Sequence, residues 1–470
     1  MSNLTKGLIL LLVVLGIGAG LVFWKSKVGG HSTGGFNKIT QQEVELLVKD
    51  LAEQNPMAIK RLGEDAELRK QQLNNLKELF AFASEAERNG TTNDPKYRNE
   101  LQNIRTELTA VNYDRHINKD KGPMPPMGFI GEDRVKAFWG EGEQPAQGFF
   151  ANLKDKIGLG KKDNEMAFQR FLDTKITLLK ESNPAMKDRE ISEEEKTQAR
   201  EFFAKINIYN DEFNEKVASG ELPKELKDKI DLQVKLQQAQ FLARIYSEKM
   251  AKDIEVTDED VAAYIAANPE FDTSAKRAKA EEILARAKNG EDFSKLADEF
   301  TEDPGNNAGE DGKKRGGLYE NVRLGMMVKP FEEAALALEP GQVSQGLVET
   351  DFGYHIVKLE KKGEADGRDG QKEQTYDVRH ILISTGFKDP NSPFGREEPI
   401  KQYVRRKLQE EREKKAIDEL VARNSVQVPE DFTVPQITDE QIQEMMKKQQ
   451  EQQQIVNTPG GHSEGDGHDH

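Results

Sequence analysis

The sequence predicts an α+β protein with a largely helical body, one small domain that contains a sheet, and an apolar amino-terminal helix. Three observations predict this. Apolar residues recur with the helical period through most of residues 36–265 and again at 399–423. Residues 269–386 instead contain glycines, turns and short β-branched runs. Residues 7–24 form an uncharged apolar stretch.

The composition excludes several classes of function. The chain has 470 residues, with 68 Lys and Arg against 84 Asp and Glu, a formal net charge of −16, and no cysteine. The absence of cysteine excludes disulfides, thiolate zinc sites and cysteine nucleophiles. The acidic balance argues against a nucleic-acid partner, because no surplus of cations is available to neutralise phosphates. With 36% apolar and 32% charged residues, helices around modest cores are expected rather than one thick core.

The apolar stretch at 7–24 predicts a transmembrane helix. Eighteen helical residues span roughly 27 Å, which is enough to cross a bilayer core when flanking lysines snorkel. A cleaved signal peptide is the alternative. We favour a retained anchor because the chain continues with Phe23, Trp24 and Lys25 rather than with small residues. The expected location is the inner membrane, single-pass, with the body on the periplasmic side.

Local signals place the helices that follow. Thr40 and Glu43 form a capping box, and Asp94 followed by Pro95 is a helix start. Further helices are predicted at 64–88, 164–179, 192–206, 223–250 and 399–423. Prolines and glycines at 122–128 predict a loop, within a loop insertion at about 121–162.

These signals divide the chain into five parts. Residues 1–35 are the anchor and linker, 36–265 the helical module, and 266–387 the sheet-containing domain. A helix at 388–435 is expected to return to the helical module, and a Gln-rich tail at 436–470 is expected to be disordered.

Motifs in the sheet-containing domain are more specific. They occur in order over about 80 residues: Phe293-x-x-Leu296-Ala297, Asp303-Pro304-Gly305, Gly316-Gly317-Leu318, Lys329-Pro330-Phe331-Glu332-x-Ala334, Leu338-x-Pro340-Gly341 and Phe352-Gly353-Tyr354-His355. This series resembles the parvulin-type peptidyl-prolyl isomerases. The layout of the whole chain resembles the SurA, PpiD and PrsA group of extracytoplasmic foldases, in which a helical chaperone module carries an inserted isomerase domain.

The resemblance implies an FKBP/parvulin-like domain with a four-stranded antiparallel sheet, and it implies roles for individual residues. His355, His380 and Asp303 are the expected catalytic residues. Leu318, Met327, Phe331 and Phe352 are the expected substrate-binding residues. Prolyl rotation breaks no bond, so neither a metal nor a cofactor is expected.

One departure concerns the strand that normally opens a parvulin domain, with a basic residue followed by His-Ile-Leu. Residues 271–276 do not carry it, whereas Arg379-His380-Ile381-Leu382 follows the last expected strand. Either a truncated second repeat begins there or the domain is circularly permuted. We favour permutation, because pairing His355 with His380 also pairs Val357 with Val378 and Leu359 with Tyr376 on the same face.

Two functions remain in view. The first is a membrane-tethered peptidyl-prolyl isomerase and chaperone that assists the folding of exported proteins. Its partners would be unfolded or nascent exported chains with Xaa-Pro bonds, with a homodimer as an option. The second is a holdase chaperone whose parvulin-like domain is a catalytically weak binding module, which the unusual residues 319–322 favour. A membrane tether without clients is a third, less supported interpretation.

Overall fold

The computed structural model describes residues 35–121, 127–141, 161–307, 313–366, 372–389 and 397–443. The predicted anchor at 7–24 and most of the predicted tail lie outside these ranges. Within them, no helix combines the length and the apolarity needed to cross a membrane. The described residues form two compact units, one of residues up to Asp253 together with those from Lys415 onward, the other Ile254–Lys414.

The first unit is helical, and its local start signals are confirmed. The Thr40 hydroxyl accepts from the Glu43 N–H, and the Glu43 carboxylate accepts from the Thr40 N–H at 2.7 Å. Asp94 caps the helix that Pro95 opens. The helices are α1 (Gln41–Gln54), α2 (Pro56–Glu64), α3 (Ala66–Arg88), α4 (Pro95–Asn118), α5 (Glu132–Phe138), α6 (Lys161–Ser182), α7 (Glu193–Ser219) and α8 (Lys224–Asp253).

Two predictions for this unit need correction. The helix expected at 64–88 begins at Ala66, because the Asp65 side chain caps it by accepting from the Leu68 N–H at 2.9 Å. The insertion expected as a loop at 121–162 contains α5, and Trp139, which follows α5, is only 1% exposed. Its ring packs beside Phe168, with centroids 5.9 Å apart. The neighbouring prolines and glycines favoured a loop in the sequence pattern, so the packing of Trp139 was not predicted.

Segments near both ends of the described chain meet in the first unit. The Ile39 N–H donates to the Gln427 carbonyl, and the Gln427 N–H donates to the Asn37 carbonyl, both at 2.9 Å. Phe36 and Ile39 are each 1% exposed beside this parallel bridge. The helical unit is therefore closed by residues that are almost 390 positions apart.

The second unit contains a four-stranded antiparallel sheet, as predicted, and its strands lie in the order β1-β4-β3-β2. The strands are β1 (Leu318–Arg323), β2 (Val348–Thr350), β3 (Gly353–Asp366) and β4 (Lys372–Ser384). A separate ribbon pairs β5 (Gly386–Lys388) with β6 (Glu397–Pro399). The last strand of the main sheet in the chain, β4, therefore lies inside the sheet, between the first strand and β3.

Helices cover both faces of this sheet. The helices of the unit are α9 (Asp258–Ala267), α10 (Ser274–Lys288), α11 (Phe293–Phe300), α12 (Lys329–Leu336) and α13 (Ile400–Asn424), of which the residues up to Lys414 belong to this unit. Of these, α10, α11 and α12 pack on the sheet, whereas α9 and α13 contribute to a separate apolar cluster. On one face, Ile356 and Ile381 pack with residues of α10 and α11. On the other face, Val357 and Val378 pack with residues of α12. This second face also carries the histidines.

Candidate active site

The two predicted histidines lie on adjacent central strands and on the same face of the sheet. The register differs from the prediction by two residues: His355 lies opposite Leu382, and His380 lies opposite Val357. The predicted pairing of His355 with His380 was therefore wrong. A shift of two preserves the face, because side chains alternate with a period of two. The histidines are diagonal neighbours, with their Nδ1 atoms 3.3 Å apart.

A buried hydrogen-bond network extends from the two rings. His380 Nε2 lies 3.1 Å from Asp303 Oδ2, and the Tyr319 hydroxyl donates to the same oxygen at 2.7 Å. At the other end, His355 Nε2 lies 2.8 Å from the Thr350 hydroxyl. The buried network is thus Tyr319, Asp303, His380, His355 and Thr350 in sequence, with the histidines 5% and 7% exposed.

The partners of the network determine its proton arrangement. Burial alone would raise the pKa of Asp303, but hydrogen bonds from His380, Tyr319 and the Gly305 N–H lower it to about 2. Asp303 is therefore ionised at neutral pH and can only accept, so His380 donates from Nε2. Burial and the neighbouring His380 lower the pKa of His355 to about 3, which keeps this ring neutral.

One direction of donation satisfies every partner when Nε2 carries the single proton of the His380 ring. With His380 protonated on Nε2, its Nδ1 accepts from His355 Nδ1–H, and His355 Nε2 accepts from the Thr350 hydroxyl. The Thr350 oxygen itself accepts from the Phe352 N–H at 3.1 Å. The network thus holds both imidazoles in one hydrogen-bonded arrangement, with the His355 ring neutral, and presents an oriented polar surface.

Phe331 of α12 covers this polar surface with an aromatic wall. Its ring meets His355 and His380 edge-on, with both centroids 5.3 Å away. Phe331 is 2% exposed, and Met327 is a partly buried neighbour in the same cluster. Of the four predicted substrate-binding residues, these two lie on the histidine face.

The other two lie elsewhere. Leu318 was assigned to this wall, and the assignment was wrong, because Leu318 lies opposite Arg379, which contacts Ser294 on the other face of the sheet. Tyr319 lies opposite Val378 and takes the position instead. Phe352 is 47% exposed in the turn between β2 and β3.

Sequence reasoning missed two members of the buried network, Tyr319 and Thr350. Tyr319 could have been assigned to the histidine face only from its pairing with β4. That pairing depends on the strand register, which the structure supplies. Thr350 stands five residues before His355 across a tight turn, a spacing that could have indicated a hairpin partner.

No set of three or more histidine, aspartate or glutamate side chains suited to a metal ion occurs among the residues that the structure describes. The arrangement offers an apolar wall above an oriented hydrogen-bonding surface. Such a surface suits binding and polarising a neutral amide group.

Comparison with known proteins agrees with this geometry. Residues 241–363 match the sequence model of the family described as PPIC-type PPIASE domain. Foldase protein PrsA 4 of Bacillus cereus is 41% identical over 111 residues, which are 24% of this chain and 36% of that protein. Chaperone SurA of Chromohalobacter salexigens is 34% identical over 150 residues, 32% of each chain.

A longer match reaches Foldase protein PrsA of Oceanobacillus iheyensis, which is 26% identical over 260 residues, 54% of this chain and 77% of that protein. The first two matches span about a third of the relatives' length. The chain therefore contains a parvulin domain of the PPIC type and is similar to foldases and chaperones of the PrsA and SurA group.

Proposed function

We propose that the chain is a peptidyl-prolyl cis-trans isomerase and chaperone that assists the folding of exported proteins. The observation that carries this proposal is the contact of Phe331 with both imidazoles of the buried network. A proline ring can pack on the apolar side of this site while its amide faces the histidines. The relatives named as foldases and chaperones support the same function.

Prolyl isomerisation needs no covalent step, but it requires polar groups that are accurately oriented. Rotation about the prolyl amide crosses a barrier of about 18–20 kcal/mol without breaking a bond. In the twisted amide the carbonyl and the nitrogen lose conjugation, so oriented dipoles that favour the twisted form lower the barrier. Met327 and Phe331 hold the ring, His355 and His380 supply the dipoles, and Asp303 fixes the tautomer of His380.

We expect Asp303→Ala to lower kcat/KM for a short Xaa-Pro peptide by roughly 10²-fold, the size typical for loss of one preorganised electrostatic group. The reason is that His380 Nε2 then has no carboxylate to fix its tautomer. Rates are measured in a protease-coupled assay, or by exchange NMR if the protease cleaves the enzyme.

The matched control is Glu333→Ala, which removes an exposed carboxylate from α12 whose partner Lys329 is 3.7 Å away. It should keep the wild-type rate. Asp303→Ala should still suppress aggregation of an unfolded client if the helical unit holds clients independently. Wild-type rates equal to the buffer control would end the isomerase proposal.

A binding module without strong catalysis is the second candidate. It is favoured by Tyr319, which stands where the prediction placed an aliphatic wall and whose hydroxyl is engaged by Asp303. Phe331 also exposes little surface to a ligand. Under this alternative the chain suppresses aggregation but leaves prolyl isomerisation close to its uncatalysed rate.

We further propose that the parvulin domain is circularly permuted. The sheet order β1-β4-β3-β2 supports this, because the strand that carries the His380 motif lies centrally although it comes last in the chain. The family match also ends at residue 363, before β4 begins. The alternative, a truncated second repeat, would leave residues 372–384 dispensable for the sheet.

The proposed site of action is the periplasmic side of the inner membrane, with residues 7–24 as a single-pass anchor. We expect the full chain to stay with membranes after alkaline carbonate extraction and a chain lacking residues 7–24 to be released. Release of both chains would instead favour a cleaved signal.

Unfolded exported proteins with Xaa-Pro bonds are the proposed partners, and a homodimer stays a prediction.

A further inference from the structure

We propose that Tyr319 is a positioning residue that holds the Asp303 carboxylate toward His380, and that Gly305 is required to leave space for its hydroxyl. This inference rests on the proposed isomerase function for its catalytic consequence, but not for its structural part. It concerns a residue that the sequence analysis did not assign to the site.

Three donors fix the orientation of the carboxylate. Oδ2 accepts from the Tyr319 hydroxyl at 2.7 Å and lies 3.1 Å from His380 Nε2. Oδ1 accepts from the Gly305 N–H at 3.1 Å. The shortest of the three is the bond from Tyr319. Without it, the side chain of Asp303 has one anchor fewer against rotation away from His380.

Tyr319 is itself well placed to donate. Burial and the nearby Asp303 raise the pKa of Tyr319 to about 12, so the hydroxyl keeps its proton at neutral pH. The ring meets His380 nearly edge-on, with centroids 5.3 Å apart, and the Arg315 guanidinium lies 5.7 Å from the ring centroid. Contacts on two sides therefore hold the phenol over the carboxylate.

Gly305 supplies an independent observation. A Cβ added at this position would lie 1.8 Å from the Tyr319 hydroxyl oxygen and 3.0 Å from Asp303 Oδ2. The backbone φ of Gly305 is not in the left-handed region, so space and not conformation requires glycine here. Any side chain at residue 305 must displace the Tyr319 hydroxyl from the carboxylate.

The consequence for the site follows from the direction of hydrogen-bond donation along the buried network. If the carboxylate turns away, His380 loses the acceptor that fixes its Nε2 proton. The tautomer of His355 is then no longer set by its neighbour. The amide of a bound client would face imidazoles in mixed tautomers, and the oriented dipoles would be lost.

The test uses the full chain with the substitutions Tyr319→Phe and Gly305→Ala. Loss of one hydrogen bond to an ionised carboxylate is expected to raise the titration midpoint of Asp303 by about one pH unit. The midpoint is read from the carboxyl ¹³C signal of labelled aspartate, assigned by comparison with Asp303→Asn. The ¹⁵N signals of His355 and His380 should shift from single tautomers toward averaged values.

In the isomerase assay, both variants should lower kcat/KM about tenfold, roughly the value of one hydrogen bond to a charged group, with the change mainly in kcat. The effect of Gly305→Ala should be smaller in the Tyr319→Phe background, because the colliding oxygen is absent. Tyr354→Phe is the matched control: it removes a tyrosine hydroxyl that lies 2.9 Å from the Thr273 hydroxyl, on the other face of the sheet.

The proposal is overturned if Tyr319→Phe leaves the Asp303 midpoint and the histidine ¹⁵N signals unchanged, or if its kcat/KM stays within twofold of Tyr354→Phe while the wild type is active. If Gly305→Ala does not fold, Tyr319→Phe decides alone. A wild-type chain without isomerase activity would end the proposed function, whereas the titration and the ¹⁵N signals would still decide whether Tyr319 positions Asp303.

Discussion

Replacing Ile381 by aspartate is expected to unfold the unit Ile254–Lys414. Ile381 is 0% exposed in the second half of β4, where it packs with Ile356 and the helices α10 and α11. Truncating such a side chain costs about 2–5 kcal/mol. An unpaired buried carboxylate adds several kcal/mol more. Together these costs approach the whole stability of a small domain, about 5–15 kcal/mol.

Hydrogen exchange followed by mass spectrometry on the full chain measures this effect. Peptides from β1 and β3 should lose protection, because both strands depend on β4 for their hydrogen bonds. The control is Gln374→Asp, which places the same charge at an exposed position of the same strand. Unchanged protection of β3 in Ile381→Asp would contradict the permuted domain and favour a truncated repeat.

Much of the fold could be predicted because its signals are local. Capping boxes, the Asp94-Pro95 helix start and the helical period depend on residues within one or two turns, and the structure confirms them. The neighbour of the strand carrying His355 could also be predicted, because one stretch of sequence matched the missing strand. Packing of Trp139 could not, since its partners are 29 and 64 residues away in Phe168 and Phe203.

The sequence could predict which face of the sheet each side chain occupies, but not the exact pairing of residues between strands. Alternation of apolar residues determines which face a side chain occupies, but a slip by two residues leaves every face unchanged. Bulges add to the difficulty, since both β1 and β3 are irregular, near Asn321 and between Leu359 and Lys361. Asn321 has a φ of 54°, which the sequence pattern does not predict.

The sequence predicted the central residues of the candidate site but not the residues that hydrogen-bond to them. His355, His380 and Asp303 carry recognisable motifs, and the structure brings them together. Thr350 and Tyr319 act through hydrogen bonds that depend on the exact register. Leu318 was placed on the wrong face because a single-residue offset along a strand reverses the direction of the side chain.

Replacing Lys175 by methionine is expected to destabilise the helical unit by about 3–5 kcal/mol at pH 8, the typical cost of leaving one partner of a buried ion pair alone. Lys175 of α6 lies 3.0 Å from Glu107 of α4, and each side chain is 14% exposed. Burial raises the pKa of Glu107 to about 7 although Lys175 opposes the shift, and burial lowers the pKa of Lys175.

The pH dependence of this loss has a definite sign. Without Lys175, the pKa of folded Glu107 rises further above the value of about 4.3 in the unfolded chain. The folded state then binds more protons than the unfolded state, so stability falls as the pH rises above about 4.3. Glu107 is protonated in both folded proteins well below a pH of about 7, so the difference between Lys175→Met and wild type should be smaller at pH 5 than at pH 8.

Urea unfolding followed by the fluorescence of Trp139, in a Trp24→Phe background, measures the effect at both pH values. Glu107→Gln combined with Lys175→Met should recover most of the loss, because both charges are then absent. Lys224→Met is the control, since its pair with Asp228 is exposed and should contribute less than about 1 kcal/mol. A loss that is equal at pH 5 and pH 8, or that the double variant does not recover, would show that Lys175 stabilises through contacts such as its ammonium over the Phe171 ring and not through its pair with Glu107.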